Sequence, residues 1–288
     1  MEVLEAQQLA RKFIAGLDLS NIQNDLSVYL EKAGARLKKE ELEEGESGYT
    51  VTLKGKHVIT VNSREPEERQ RFTICHEIAH LTLGLASSHQ EVPSWSYAKR
   101  DVNEVLCDVF ATELLMPYAL FIQKMPADEP TAELIKKLGE DFGASFPAAA
   151  SRYATLADFP CAYITMDKGV VRYAVMSTSL RNKRARISIK SPIPEGSLAH
   201  TLRTDGLVQT KTEEVAQDAW FEDWESGLDL WEICRHYPRF DTTLSLIWFN
   251  EEDLPVIEVD RFGKQVVEDE RLSELTGELQ WKKRTRRK

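Results

Sequence analysis

Between positions 65 and 83 the chain changes character within a few residues. Glu65, Pro66, Glu67, Glu68, Arg69 and Gln70 are charged or helix-favouring, whereas Phe72, Thr73, Ile74, Cys75, Ile78, Ala79, Leu81 and Leu83 make the next stretch apolar nearly all round. That pattern predicts a buried helix with Pro66 near its start. A second apolar segment opens at Asn103 and runs through Val105, Leu106, Val109, Phe110, Leu114, Leu115 and Met116 until Pro117, which predicts a second buried helix. Upstream, Gly48–Leu53 and residues 57–62 read as two short strands around a Lys54-Gly55-Lys56 turn. Residues 131–155 read as a helix over 132–138, a glycine turn over 141–145 and a second helix over 146–153. From about Phe159 the pattern turns to short β-like runs at 161–165, 170–175, 185–189 and 244–249, with Asp167-Lys168-Gly169 joining the first two.

The first buried helix contains His76-Glu77-Ile78-Ala79-His80. Two imidazoles four residues apart on a helix face the same way and can grip one metal ion, with the adjacent glutamate placed to deprotonate water. Two histidines and a glutamate inside an apolar helix are costly unless something satisfies them, and a metal does so. A third ligand is required. A metzincin would carry glycine three residues and histidine six residues after His80, but Leu83 and Ala86 stand there. The alternative is a glutamate on the next helix, which makes Glu104 the expected third ligand. Asp108, one turn later on the same face, is expected to accept the free N–H of His76 or His80 and hold the metal-binding tautomer. An oxyanion-stabilising group is sought among His57, His89, Tyr97 and Tyr118, with no basis for choosing one.

Residues Arg69-Gln70-Arg71-Phe72-Thr73-Ile74-Cys75-His76-Glu77-Ile78-Ala79-His80, followed by 104–117 (Glu104-Val105-Leu106-Cys107-Asp108-Val109-Phe110-Ala111-Thr112-Glu113-Leu114-Leu115-Met116-Pro117), resemble the IrrE/ImmA-type metallopeptidases of bacteria and their mobile elements. Two motifs occur in the right order with a suitable gap, preceded by a strand pair as in that family. The resemblance covers residues 1 to about 125 closely and the rest loosely. Asp108 stands where the family usually has asparagine, and Ala79 where glycine is common. The resemblance implies a protein substrate, namely an XRE-type helix-turn-helix transcriptional repressor whose cleavage releases DNA-damage-response or mobile-element genes. It further implies a helical module after the peptidase core, and a GAF-like sensory domain in the longer members.

Composition narrows the setting. The chain has 288 residues, 42% of them hydrophobic, enough for more than one domain. Its net charge of −10 argues against nucleic-acid binding as its main task. The second helix of the 131–155 pair offers only Arg152 as a basic residue, so a structural or substrate-facing role is expected for it ahead of direct DNA reading. The basic run from Lys282 to Lys288 reads as a solvated tail. Cys75, Cys107, Cys161 and Cys234 are widely spaced, which points to reduced thiols acting as small hydrophobes. No run is long and apolar enough to span a bilayer and the first residues lack a signal-peptide pattern, so a cytoplasmic, membrane-free protein is expected.

The expected fold class is α+β: a gluzincin-like metallopeptidase domain at 1–128 with a small sheet and active-site helices, a helix-turn-helix-like module at 129–157, a C-terminal α+β and GAF-like domain at 158–275, and a basic tail at 276–288. The expected activity is that of a metal-dependent endopeptidase using Glu77 as base and His76, His80 and Glu104 as ligands to Zn²⁺, with Mn²⁺ also suited to that set. The competing class is a metal-containing sensor or binding regulator acting through its C-terminal regions without proteolysis. Retention of Glu77 favours the enzyme, because a structural metal site needs no base.

Overall fold

The apolar 65–83 segment does become a helix, and the rest of the fold is arranged to bury it. The computed structural model describes residues 1–86, 101–126, 129–221, 224, 229–250 and 254. Helix α1 (Val3–Ile14) and helix α2 (Ser27–Ala33) lead into strand β1 (Ala35–Glu40) and the hairpin of β2 (Gly48–Leu53) and β3 (Lys56–Asn62). The hairpin turns on two residues with positive φ, Lys54 at 52° and Gly55 at 72°, the conformation whose twist suits a two-residue connection. β1 pairs parallel to β3, giving a three-stranded sheet in the order β1-β3-β2 with β2 at one edge.

Helix α3 (Glu67–Leu83) is capped by Pro66 at its start and by left-handed Gly84 at its end. It buries Ile74, Cys75, Ile78 and Ala79 against helix α4 (Val102–Leu115), which contributes Cys107, Phe110, Ala111 and Leu114. Helix α5 (Tyr118–Lys124) comes next, then α6 (Ala132–Phe142) and α7 (Phe146–Leu156), joined through Gly143 at φ 57°. Arg152 does not face solvent. It is 4% exposed, and its guanidinium donates to fully buried Glu113 at 2.7 Å, so the one basic residue of α7 is used in tying α7 to α4.

A second sheet is antiparallel throughout, in the order β5-β4-β8-β7-β6: β4 (Cys161–Asp167), β5 (Val170–Met176), β6 (Thr210–Ala216), β7 (Asp229–Tyr237) and β8 (Thr242–Trp248). One face supplies Tyr163, Ile233, Leu244, Leu246 and Trp248 to the same core as α3, α4 and α7. The other packs Ala162, Ile164, Met166 and Ile247 beneath helix α8 (Thr178–Asn182) and helix α9 (Leu198–Asp205), and the short helix α10 (Gln217–Trp220) adds Trp220 to that layer.

The expectation of a strand at 185–189 is corrected. Ala185 to Ser188 adopt no regular structure, and it is the adjoining stretch that meets the sheet, where Lys190 N donates to Val171 O at 2.8 Å and Val171 N to Ser191 O at 2.9 Å. The alternation of apolar positions there reflects Ala185 and Ile187 dipping into the second core and not strand pairing.

All four cysteines are buried and free. Burial pushes the Cys75 and Cys161 thiols up to about 12, so neither carries a reactive thiolate. No single helix among the described residues is long and apolar enough to cross a membrane.

Candidate metal centre

Helix geometry places His76 and His80 on one face of α3, and packing of α4 across that face brings up Glu104 and Asp108. The His76 and His80 Nε2 atoms are 3.0 Å apart. Glu104 sets Oε2 3.0 Å from His76 Nε2 and Oε1 3.6 Å from His80 Nε2. The candidate ligand atoms of His76, His80 and Glu104 all lie within 4.8 Å of one another.

The far nitrogens decide what those atoms offer. Nδ1 of His80 is 3.1 Å from the carbonyl oxygen of Leu85, which can only accept, so Nδ1 carries the proton and Nε2 presents a lone pair. Nδ1 of His76 lies 2.9 Å from Asp108 Oδ1, and the same reasoning turns its Nε2 lone pair inward. Two imidazole lone pairs and a carboxylate therefore converge with no donor among the three. A cation, whether a proton or a metal, satisfies such a set, and two nitrogens with one carboxylate oxygen are donors suited to a divalent ion that retains an open position. The centre is reachable: the His76 and Glu104 side chains are 15% and 17% exposed, while His80 is 5% exposed.

Without a metal, burial opposes charge on His76, but its hydrogen bonds with Asp108 and Glu104 outweigh that effect and raise the imidazole to about 9.

Glu77, next to His76 in α3, reaches the small sheet. It is 2% exposed, and its Oε2 accepts from the Thr50 hydroxyl at 2.6 Å. Thr50 was not among the residues that the sequence singled out. The signal available was the run of small side chains at Gly48, Thr50 and Thr52, alternate positions on one face of β2. Gly48 lets that strand lie close to α3, since a Cβ there would meet Thr60 O at 2.6 Å and Thr73 Cγ2 at 2.7 Å.

Of the oxyanion candidates, His57 is hydrogen-bonded through Nδ1 to Thr52 Oγ1 at 2.8 Å on the exposed end of the hairpin. Tyr118 lies under the Arg11 guanidinium, 4.6 Å from its ring centroid, and its amide donates to Glu113. These contacts direct both residues to partners outside the convergent set. His89 and Tyr97 fall outside the described residues.

Against known proteins, residues 30–153 match the family of the IrrE N-terminal-like domain, a peptidase family. The chain is 38% identical over 103 residues to the radiation response metalloprotease IrrE of Deinococcus deserti, covering 34% of this chain and 35% of that protein. It is 32% identical over 107 residues to the Deinococcus radiodurans protein of the same name, covering 36% of this chain and 32% of that one. The chain thus spans about a third of the length of the curated relatives it matches. Among solved structures, a Mycobacterium tuberculosis transcriptional regulator superposes with a TM-score of 0.56 at 15% identity, over 85% of this chain and 76% of that one, a likeness of fold.

Proposed function

We propose, from the match of residues 30–153 to the IrrE N-terminal-like peptidase family, that the chain is a metal-dependent endopeptidase that cuts a protein substrate, namely an XRE-type helix-turn-helix repressor. The observation that carries the reading is the convergence of three lone-pair donors within 4.8 Å beside a buried glutamate held by Thr50.

His76, His80 and Glu104 would hold the metal, and a divalent ion there, Zn²⁺ or Mn²⁺, supplies Lewis acidity toward water and toward a scissile carbonyl. The chain's own groups do the rest. Asp108 and the Leu85 carbonyl keep the protons of both imidazoles on Nδ1. Thr50 donates to Oε2 of Glu77 and fixes the carboxylate, which would take the proton of the attacking water and later deliver it to the leaving amide nitrogen.

The four-part division at 128, 157 and 275 remains our proposal for how the chain is organised, with a GAF-like sensory role for the part containing the five-stranded sheet. We do not assign DNA contact to α7, whose Arg152 is held inside by Glu113. The reduced, buried thiols fit a cytoplasmic setting.

The test is to incubate the purified full chain with each small XRE-type repressor encoded beside its gene, with and without Zn²⁺ or Mn²⁺. A discrete fragment that requires metal and disappears with Glu77→Gln supports the reading. Metal-loaded protein that binds such a repressor and leaves it intact favours a regulator that acts without proteolysis.

A further inference from the structure

A half-open cleft of about 510 Å³ begins where the metal centre ends. Phe72 and Asp108 belong to both: each lines the cleft, Phe72 has its ring centroid 6.1 Å from that of His76, and Asp108 holds His76 Nδ1. Much of the lining comes from outside α3 and α4. Tyr163 and Tyr173 on β4 and β5, Tyr237 and Phe240 about the turn between β7 and β8, and Ala148 and Ser151 of α7 line the cleft as well.

The wall chemistry is specific. The Tyr163 hydroxyl accepts from Thr165 at 3.2 Å, and the Tyr173 hydroxyl shares a hydrogen bond with Ser151 at 2.8 Å. With those hydroxyls hydrogen-bonded within the protein, the aromatic and aliphatic lining includes both tyrosines together with Phe72, Leu115 and Leu244. Among the described lining residues, charge is confined to Glu68 and Arg69 of the first turn of α3 and to Asp108. The volume suits a few side chains and not a folded domain.

We propose that this cleft is the recognition subsite of the enzyme, receiving large apolar side chains, aromatic or aliphatic, from the protein substrate on the Phe72 side of the scissile bond. The inference rests on the peptidase reading above. A chain laid across His76 toward the start of α3 enters the cleft directly, because the two share a wall; this continuity selects a peptide as occupant over a detached small molecule. Tyr163, Tyr173, Tyr237 and Phe240 lie beyond residue 153, so the sequence recognised is set largely outside the matched family domain.

The experiment uses the full chain and an equimolar library of synthetic 14-residue peptides. Retention on immobilised Glu77→Gln protein reads the cleft without requiring a cut, and cleavage by metal-loaded wild type, mapped by mass spectrometry, reads the chemistry. Two cleft variants are compared: Phe240→Ala, which trims a side chain 64% exposed and leaves the core untouched, and Ala148→Trp, which fills the space. Retained peptides are expected to be rich in Phe, Leu, Met and Trp, with retention falling about threefold in Phe240→Ala and about tenfold in Ala148→Trp. Retention without apolar bias, or unchanged by both substitutions, overturns the subsite even if peptides are cut. Retention that behaves as expected while neither a peptide nor the XRE-type repressor is cut leaves the cleft standing and removes the peptidase reading.

Discussion

Nδ1 of His76 donates to Oδ1 of Asp108 at 2.9 Å, and this single bond decides which nitrogen of the ring faces Glu104. Removing the acceptor frees the ring to rotate and to shift its proton to the inner nitrogen. Asp108→Ala is therefore expected to weaken divalent-metal binding by about 10- to 100-fold. Asp108→Asn keeps an acceptor oxygen at the same place and should lose less. Competition titration against a chromophoric chelator separates the two; equal affinity in wild type and Asp108→Ala would remove Asp108 from the metal-holding apparatus.

Metal must displace a proton from His76, because its hydrogen-bonded carboxylates, working against burial, raise the metal-free imidazole to about 9. Below that value the ring is protonated and competes with the ion; above it there is nothing left to displace. Apparent affinity should accordingly rise about tenfold per pH unit from neutrality and level off near pH 9. Calorimetry in buffers of different ionisation enthalpy should show close to one proton released from this ring at pH 7.

Gly48 has no room for a methyl group, given Thr60 O at 2.6 Å and Thr73 Cγ2 at 2.7 Å from where a Cβ would stand. Gly48→Ala must push β2 away from α3 and with it Thr50 away from Glu77. The expected result is a loss of about 1–3 kcal/mol in stability together with reduced turnover at nearly unchanged metal affinity. Urea denaturation, metal titration and a cleavage assay on one preparation check all three.

Glu113 is fully buried and accepts from Arg152 at 2.7 Å, from Arg11 at 3.2 Å and from the Tyr118 amide at 2.9 Å. Glu113→Ala leaves Arg152 charged and unpaired inside the protein, at a cost of about 3–5 kcal/mol, whereas Glu113→Leu combined with Arg152→Met removes that buried charge and should cost less, the loss being that of the acceptor for Arg11 and the Tyr118 amide. Denaturant midpoints of the single and double variants decide this; a single variant no less stable than the double contradicts the pairing.

Helices α3 and α4 were legible because each combines a long apolar pattern with clear stop signals, Gly84 after one and Pro117 after the other. Spacing alone aligned His76 with His80 and Glu104 with Asp108, and the structure brings these four together, although which atoms meet depends on how α4 crosses α3. The strands were harder. β1 reads Ala-Arg-Leu-Lys-Lys-Glu and β6 reads Thr-Lys-Thr-Glu-Glu-Val-Ala; both lie at sheet edges, where exposed backbone tolerates charge and the apolar alternation disappears. β7 was hidden by Glu232, a charged residue in an interior strand. Burial pushes that carboxyl upward, opposed by donors from Ser245, Trp220 and the Leu198 and Ala199 amides at the start of α9. The Thr50–Glu77 contact and the cleft beyond Phe72 depend on registers between distant elements, which no local pattern encodes.

If His76, His80 and Glu104 hold one divalent ion while Glu77 acts on water beside it, metal retention and turnover must separate cleanly between variants. Metal content by inductively coupled plasma mass spectrometry after Zn²⁺ loading, measured on wild type, His76→Ala, Glu104→Ala and Glu77→Gln alongside cleavage of the repressor, tests this most directly. One ion per chain is predicted in wild type and in Glu77→Gln, far weaker binding in the other two, and cleavage in wild type alone. Full metal binding by Glu104→Ala, or unimpaired cleavage by Glu77→Gln, would contradict it.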